Sequence, residues 1–210
     1  MLRKIANTLP PYARSELKRI HYRRQIRSGA FTSPEIEFRK IDSLVSPGDW
    51  VIDVGANVGH YTRRFSEIVA HGRVIAIEPH PKTFAHLAAN VADLENVTLI
   101  NAALSDSFGE IGFSVPGDNF YQAAVSENGD MKVATISSAA LGFEHKIAFI
   151  KIDAEGHEDV IIPALNELIE RHRPILMVEN NLRFLEAWAD RHRYRFDDYD
   201  GSHNHILKPA

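Results

Sequence analysis

The sequence predicts an α/β protein built on a doubly wound, mostly parallel, Rossmann-like sheet. From Trp50 onwards, short apolar runs alternate with amphipathic segments of helical length, an order that builds a parallel sheet with helices on both faces. The 210 residues are 44% hydrophobic and 25% charged, which is typical of a globular protein that needs no cross-links to hold its core. One main domain is therefore expected.

Each element follows from a local pattern. Ser33 and Pro34 have the residue types of a helix start, so a helix is expected over 33–45. Five parallel strands are expected over 50–54, 73–78, 97–102, 147–153 and 174–179, with crossover helices over 59–70, 81–94 and 156–172. Strands over 110–115 and 131–136 would form an edge region. A hairpin over 194–199 and 204–207 would close the sheet at seven strands.

The first 32 residues differ in charge from the rest of the chain. Residues 1–30 carry a formal charge of +7 and the remaining 180 residues carry −11. We therefore expect a basic helical extension over 1–32, helical mainly over 15–27, and a second, catalytic domain over 33–210. The extension either docks on the acidic body or attracts phosphates, acidic lipid headgroups or an anionic substrate.

Some classes of protein are excluded by composition. The chain has no cysteine, which rules out disulfides, zinc–thiolate sites, iron–sulfur clusters and a cysteine nucleophile. No apolar run reaches the roughly 18 residues of a transmembrane segment, and the N-terminus lacks the apolar core of a signal peptide. A soluble, cytoplasmic protein is expected.

The turn after the first strand predicts a ligand site. In an open parallel sheet, ligands bind beyond the carboxyl ends of the strands. Gly55 would allow a tight turn there, and Gly59 would allow close contact at the start of the next helix. A pyrophosphate-binding turn has a further glycine where this chain has Ala56 and Asn57, which weakens the case for a dinucleotide.

Two acidic residues favour a nucleoside without phosphate. Glu78 ends the second strand, where a carboxylate can bind both ribose hydroxyls of an adenosine. Asp53 ends the first strand and could hold an ammonium group through water. S-adenosylmethionine has a free ribose diol, an ammonium group, a carboxylate and no phosphate, so it matches this set.

Four segments of the chain carry a family resemblance: VIDVGANVGHYT, AIEPHPKTFAHLAANV, NAALSD followed by Gly109, and KIDAEGHE. They closely resemble the motifs of the FkbM family of S-adenosylmethionine-dependent methyltransferases. The resemblance covers about residues 35–180 and implies the class I methyltransferase fold and methyl transfer to oxygen. The resemblance also implies that Asp53, Gly55, Asn57 and Gly59 contact the methionine part of the cofactor and that Glu78 binds its ribose. Pro79 and His80 would line the adenosine edge, and Ala103, Leu104 and Ser105 would lie near the adenine.

The candidates for the chemical step follow the fourth strand. Asp153, Glu155 and His157 could each remove the proton of an acceptor hydroxyl, whereas Glu158 is expected to stabilise the start of the next helix. An apolar strand that ends in a charged residue indicates that Asp153 has a partner.

A metal-dependent mechanism is an alternative to a mechanism that uses these residues as a base alone. Asp153, Glu179 and Asn180 follow neighbouring strands and could bind Mg²⁺ through oxygen atoms, a layout that resembles metal-dependent catechol and sugar methyltransferases.

The predicted function is therefore methyl transfer from S-adenosylmethionine to a hydroxyl of a sugar, glycan or small metabolite. Phe120, Tyr121 and Gln122 could line the acceptor pocket, as could His157 and Asn181. The alternatives are a nicotinamide-dependent oxidoreductase and a non-catalytic binding module that uses the basic extension. Nucleic acid ranks below small acceptors, because the chain lacks the Asn/Asp-Pro-Pro-aromatic motif seen in many amino-directed methyltransferases.

Overall fold

A computed structural model describes residues 24–26, 31, 33, 35–114, 124–126, 129, 131–141, 144–179 and 181–210. The chain forms two compact units, Met1–Thr32 and Ser33–Ala210. In the first unit, residues 24–26 are helical, and the rest of the helix predicted over 15–27 lies outside the described residues. The role of this unit as a basic extension stays a prediction.

The strands of the described residues, in chain order, are β1 (Trp50–Val54), β2 (Arg73–Ile77), β3 (Val97–Ile100), β4 (Ala103–Ser105), β5 (Gly109–Ser114), β6 (Ala124–Val125), β7 (Met131–Ser137), β8 (Ile147–Ile152), β9 (Ile175–Glu179), β10 (Tyr194–Phe196) and β11 (Asn204–Pro209).

Seven of these described strands form the main sheet, in the order β10-β11-β9-β8-β1-β2-β3. The five strands from β9 to β3 pair in parallel, while β11 runs antiparallel to β9 and β10 antiparallel to β11. The predicted mostly parallel, seven-stranded sheet and its closing hairpin are thus confirmed. The apolar side chains of these strands form the centre of the core.

A second sheet among the described residues has the order β4-β7-β5-β6. It contains the predicted edge strands as β5 and β7. The strand predicted over 97–102 was too long, because β3 ends at Ile100 and the chain then leaves the main sheet to pair Ala103–Ser105 with β7.

The helices of the described part of the chain are α1 (Ile36–Lys40, followed by a 3-10 turn at Ile41–Ser43), α2 (His60–Val69), α3 (Pro81–Val91), α4 (Glu158–Ala164), α5 (Asn166–His172) and α6 (Leu182–His192). None of them is both long and apolar enough to cross a membrane.

Three predictions about helices were wrong in detail. The helix expected from residue 33 begins only at Ile36, since Ser33 Oγ accepts a hydrogen bond from the Glu35 N–H and holds the chain in a turn; Pro34 is outside the described residues. The helix expected over 156–172 is divided into α4 and α5 near Pro163, which has no N–H to donate. Helix α6 was missed, although Leu185, Trp188 and Ala189 have helical spacing and are buried.

Candidate active site

A cleft lies beyond the carboxyl ends of β1, β2, β8 and β9, where the topology of the sheet predicts a ligand site. Its walls come from the turns after these strands, from α2, and from the second sheet. They are formed by Glu35, Val54, Gly55, Asn57, His60, Tyr61, Ile77, Glu78, Pro79, Ala102, Ala103, Leu104, Phe113, Val125, Asp153, Ala154, Glu155, His157, Ile161 and Glu179.

The tips of β1 and β8 touch at Gly55. This residue has a φ of 70°, and a Cβ atom placed on it would lie 1.7 Å from the carbonyl oxygen of Asp153. The N–H groups of Gly55 and Ala56 both donate to the carbonyl of Ile77. Glycine at this position therefore allows the turn after β1 and the residues after β8 to form one continuous wall.

Glu78 is fixed by backbone donors on both of its oxygen atoms. Oε2 accepts from the N–H of Asn57 and Oε1 from the N–H of His80, each at 2.9 Å. Burial raises the pKa of Glu78 to about 7, although these two hydrogen bonds favour the ionised form. The carboxylate keeps unused lone pairs, since each oxygen atom accepts one of these two bonds.

The structure divides the predicted cofactor residues into two sets. Six of them line the cleft, namely Gly55, Asn57, Glu78, Pro79, Ala103 and Leu104. The other four are buried and do not form its wall, namely Asp53, Gly59, His80 and Ser105.

The four buried residues have structural contacts instead. Asp53 is fully buried and accepts a hydrogen bond from Thr62 Oγ1 at 2.7 Å; burial raises its pKa. The side chain of His80 accepts from Thr83 N at the start of α3, and Gly59 lies against Leu87. Direct cofactor contact by these residues stays a prediction.

All three predicted catalytic residues, Asp153, Glu155 and His157, line the cleft. The turn that carries them is shaped by Glu158, whose Oε1 accepts from the N–H groups of Ala154 at 3.1 Å and Gly156 at 3.2 Å. Glu158 is buried, so its position supports the structural role expected for it.

A buried lysine contacts one of a pair of carboxyl groups in the cleft wall. Lys151 Nζ lies 2.9 Å from Asp153 Oδ2 and 3.8 Å from Asp53 Oδ1. Carboxylate oxygens of Asp153 and Glu179 lie within 4.8 Å of each other. Burial opposes ionisation of Asp153, but Lys151 and the neighbouring Glu179 leave its pKa below the ordinary value. Burial and Asp153 together raise the pKa of Glu179 to about 8.

The predicted magnesium site of Asp153, Glu179 and Asn180 stays a prediction. Carboxylate oxygens of Asp153, Glu155 and Glu179 lie within 4.8 Å of one another, while Asn180 lies outside the described residues. However, Asp153 already binds the ammonium group of Lys151, and a metal ion would compete with this cation for the same carboxylate. A cationic side chain thus already compensates one of the predicted metal ligands.

Sequence reasoning missed four residues of the site: Lys151, His60, Tyr61 and Glu35. A lysine between Ile150 and Ile152 in an apolar strand was a usable signal, because a buried ammonium group needs anionic partners. His60 lines the cleft, and burial, together with the charge of Lys151, lowers its pKa to about 4. The hydrogen bond from the Tyr61 hydroxyl to Glu35 joins residues 26 positions apart, and no sequence pattern indicated it.

Comparison with solved structures shows the class of fold. A methyltransferase FkbM from Methylobacillus flagellatus KT superimposes with a TM-score of 0.57 at 18% identity, over 78% of this chain and 44% of that one. An S-adenosylmethionine-dependent O-methyltransferase from Thermotoga maritima gives a TM-score of 0.52 at 11% identity, over 86% of this chain and 67% of that one. The protein has the class I methyltransferase fold.

Sequence comparison shows the family. The model of the methyltransferase FkbM domain matches residues 53–207, and the chain belongs to this family. The 2-O-methyltransferase NoeI of Sinorhizobium fredii is 36% identical over 76 residues, which are 36% of this chain and 31% of NoeI. The chain thus matches about a third of the length of that curated relative.

Proposed function

We propose that the protein is an S-adenosylmethionine-dependent O-methyltransferase that acts on a hydroxyl group of a sugar, glycan or related small metabolite. The observation that carries this proposal is one cleft that brings Glu78 and the Gly55 turn together with Asp153 and Glu155. Family membership favours methyl transfer over the nicotinamide-dependent oxidoreductase. The name of the relative NoeI supports an oxygen acceptor.

The residues of the cleft fit the proposed cofactor. Glu78 is held by two backbone N–H groups and can accept further hydrogen bonds from a ribose diol. Asn57 Oδ1 is buried and accepts no hydrogen bond from the described residues, so it suits the ammonium group of the methionine part. Ala103 and Leu104 offer an apolar wall for the adenine. When bound, the cofactor supplies an electrophilic methyl group on a positively charged sulfur atom, which the acidic cleft favours.

The residues after β8 would serve the acceptor. The side chain of Asp153 is 34% exposed and could accept the proton of the acceptor hydroxyl, whose oxygen would take the methyl group from the cofactor's sulfur, with S-adenosylhomocysteine as the leaving group. His157 Nε2 is buried, lacks a hydrogen-bond partner among the described residues, and lies in the same wall, where it can orient the acceptor. A positioned base contributes about 10²- to 10⁴-fold, and alignment of the reactants contributes more.

Calorimetric titration with S-adenosylhomocysteine and with NAD tests the cofactor assignment. We expect binding of the former only. Glu78→Gln is expected to weaken it about tenfold, the equivalent of one charge-assisted hydrogen bond. Glu95→Gln, at an exposed acid before β3, is the matched control and should bind as the unmodified protein does. Binding of NAD in preference to S-adenosylhomocysteine would overturn the assignment.

Turnover of labelled S-adenosylmethionine with a panel of sugars tests the reaction. We expect an alkali-stable methyl ether, and a fall of about 10² or more in kcat for Asp153→Asn. Cofactor binding with no turnover on any acceptor would instead indicate a non-catalytic module. Full activity of a folded Asp153→Asn protein would remove Asp153 from the mechanism.

A further inference from the structure

The side chain of Lys151 is the most unusual feature of the main sheet. It lies in β8, the strand next to β1, and is only 3% exposed. Transfer of an ammonium group into such surroundings is strongly unfavourable unless anionic groups surround it. A lysine at this position therefore needs partners that compensate its charge.

Its partners come from both halves of the proposed site. Nζ contacts Asp153 Oδ2 at 2.9 Å, on the acceptor side, and lies 3.5 Å from the carbonyl oxygen of Gly55, in the cofactor turn. Asp53 Oδ1 lies at 3.8 Å, and the ring of Tyr61 covers Nζ with its centroid at 5.2 Å. The ammonium group thus connects the turns after β1 and β8.

We infer that Lys151 is a positioning residue whose ammonium group is the cation of the carboxylate cluster formed by Asp153, Glu155 and Glu179. Without this ammonium group, the cluster would be able to bind a divalent metal ion. Lys151 fixes Asp153 against the cofactor turn and compensates the negative charge of the cluster. The inference rests on the proposed function for its catalytic consequence. Its structural part, a carboxylate cluster closed to metal ions, does not depend on turnover.

Metal binding tests the structural part. Purified protein is titrated with Mn²⁺ alone, and free Mn²⁺ is followed by electron paramagnetic resonance. We expect no binding below millimolar concentrations to the unmodified protein or to Lys151→Arg, which retains the positive charge. Lys151→Met leaves the three carboxyl groups without their cation and is expected to gain at least one Mn²⁺ site, with an affinity increase of about tenfold or more.

Lys146→Met is the matched control, since this exposed lysine lies just before β8; it should bind no more Mn²⁺ than the unmodified protein. Submillimolar Mn²⁺ binding by the unmodified protein that is lost in Asp153→Asn would overturn the inference. So would a folded Lys151→Met protein that gains no Mn²⁺ site. If Lys151→Met does not fold, the titration of the unmodified protein decides alone.

Kinetics test the positioning role. Lys151→Met is expected to lower kcat about 10²-fold, within the range of a misplaced base, and to change the acceptor KM and the dissociation constant of S-adenosylhomocysteine by less than about threefold. Lys151→Arg should restore most of kcat. A merely structural lysine would instead lower the melting temperature and leave kcat unchanged. Absence of turnover in the unmodified protein would contradict the proposed function and leave the Mn²⁺ result standing.

Discussion

Replacement of Gly55 by alanine measures how closely the two central strand tips must approach. The new Cβ would lie 1.7 Å from the carbonyl oxygen of Asp153, half of the 3.4 Å at which ordinary contact begins. Since this oxygen atom belongs to the backbone, a rotamer change cannot relieve the overlap. The turn after β1 has to move away from β8.

The free-energy cost has two parts. An alanine at the φ of 70° costs about 1–2 kcal/mol. Movement of the turn weakens the hydrogen bonds from Gly55 and Ala56 to Ile77 and from Asp153 to Val54, and each of these three contributes about 0.5–1.5 kcal/mol. Together the two parts lower the free energy of unfolding by roughly 3–6 kcal/mol.

Gly201 separates these parts experimentally. It has a φ of 78°, and a Cβ atom there would meet nothing within 4 Å. Gly201→Ala should therefore cost only about 1–2 kcal/mol. At about 2–4 °C per kcal/mol for a chain of this size, Gly55→Ala should melt at least about 3 °C below Gly201→Ala in a calorimetric scan. Equal melting temperatures for the two variants would refute the reasoning.

Two further predictions follow from carboxyl groups with raised pKa values. Since the pKa of Glu78 is raised to about 7, affinity for S-adenosylhomocysteine should rise about fivefold from pH 6 to pH 8 as the carboxylate forms. Calorimetry with Glu78→Gln should show no such rise, and an equal rise in the variant would contradict the role of Glu78. The pKa of Glu179 is about 8 in the folded protein against 4.5 ordinarily, so the folded state binds this proton more tightly than the unfolded state does. The stabilisation that the protonated Glu179 contributes is therefore complete below pH 4.5 and is lost as the pH rises to 8. The melting temperature of Glu179→Gln should therefore match that of the unmodified protein at low pH and exceed it increasingly up to pH 9; a constant difference would contradict this.

The parallel strands were predictable because each is a short apolar run bounded by polar turns. The bounds of β1 were predicted without error, and those of β8 and β9 to within one residue. The departure of β4 into the second sheet was not predictable, since residues 97–105 carry no break between the strands. Helix α6 was within reach from the spacing of Leu185, Trp188 and Ala189, but no element was predicted between residues 179 and 194.

Residues of the candidate site were predictable where their position at a strand end alone places them in the cleft. They were not predictable where contacts with other elements decide the direction of the side chain. Glu78 and Asp153 stand at strand ends, so topology alone places them in the cleft. Whether Asp53 faces the ligand or the interior depends on Thr62 and Lys151, which reach it from other elements. The same contacts bear on the magnesium prediction, because a sequence shows how many carboxylates a strand edge has and not which cation already lies beside them.

The cleft is shaped by strained turns at three neighbouring strand ends. Asn57, Glu155 and Asn181 follow β1, β8 and β9, and all three have left-handed backbone conformations, with φ between 49° and 64°. Such conformations cost of order 1–3 kcal/mol each and persist only where the surroundings hold them. Here two carboxylates do so at two of the three turns: Glu78 accepts the N–H of Asn57, and Glu158 accepts the N–H groups on either side of Glu155. The polar groups of the cleft are therefore positioned by acidic side chains that bind the turns, which explains why Glu158 is buried although it lies in the first turn of α4.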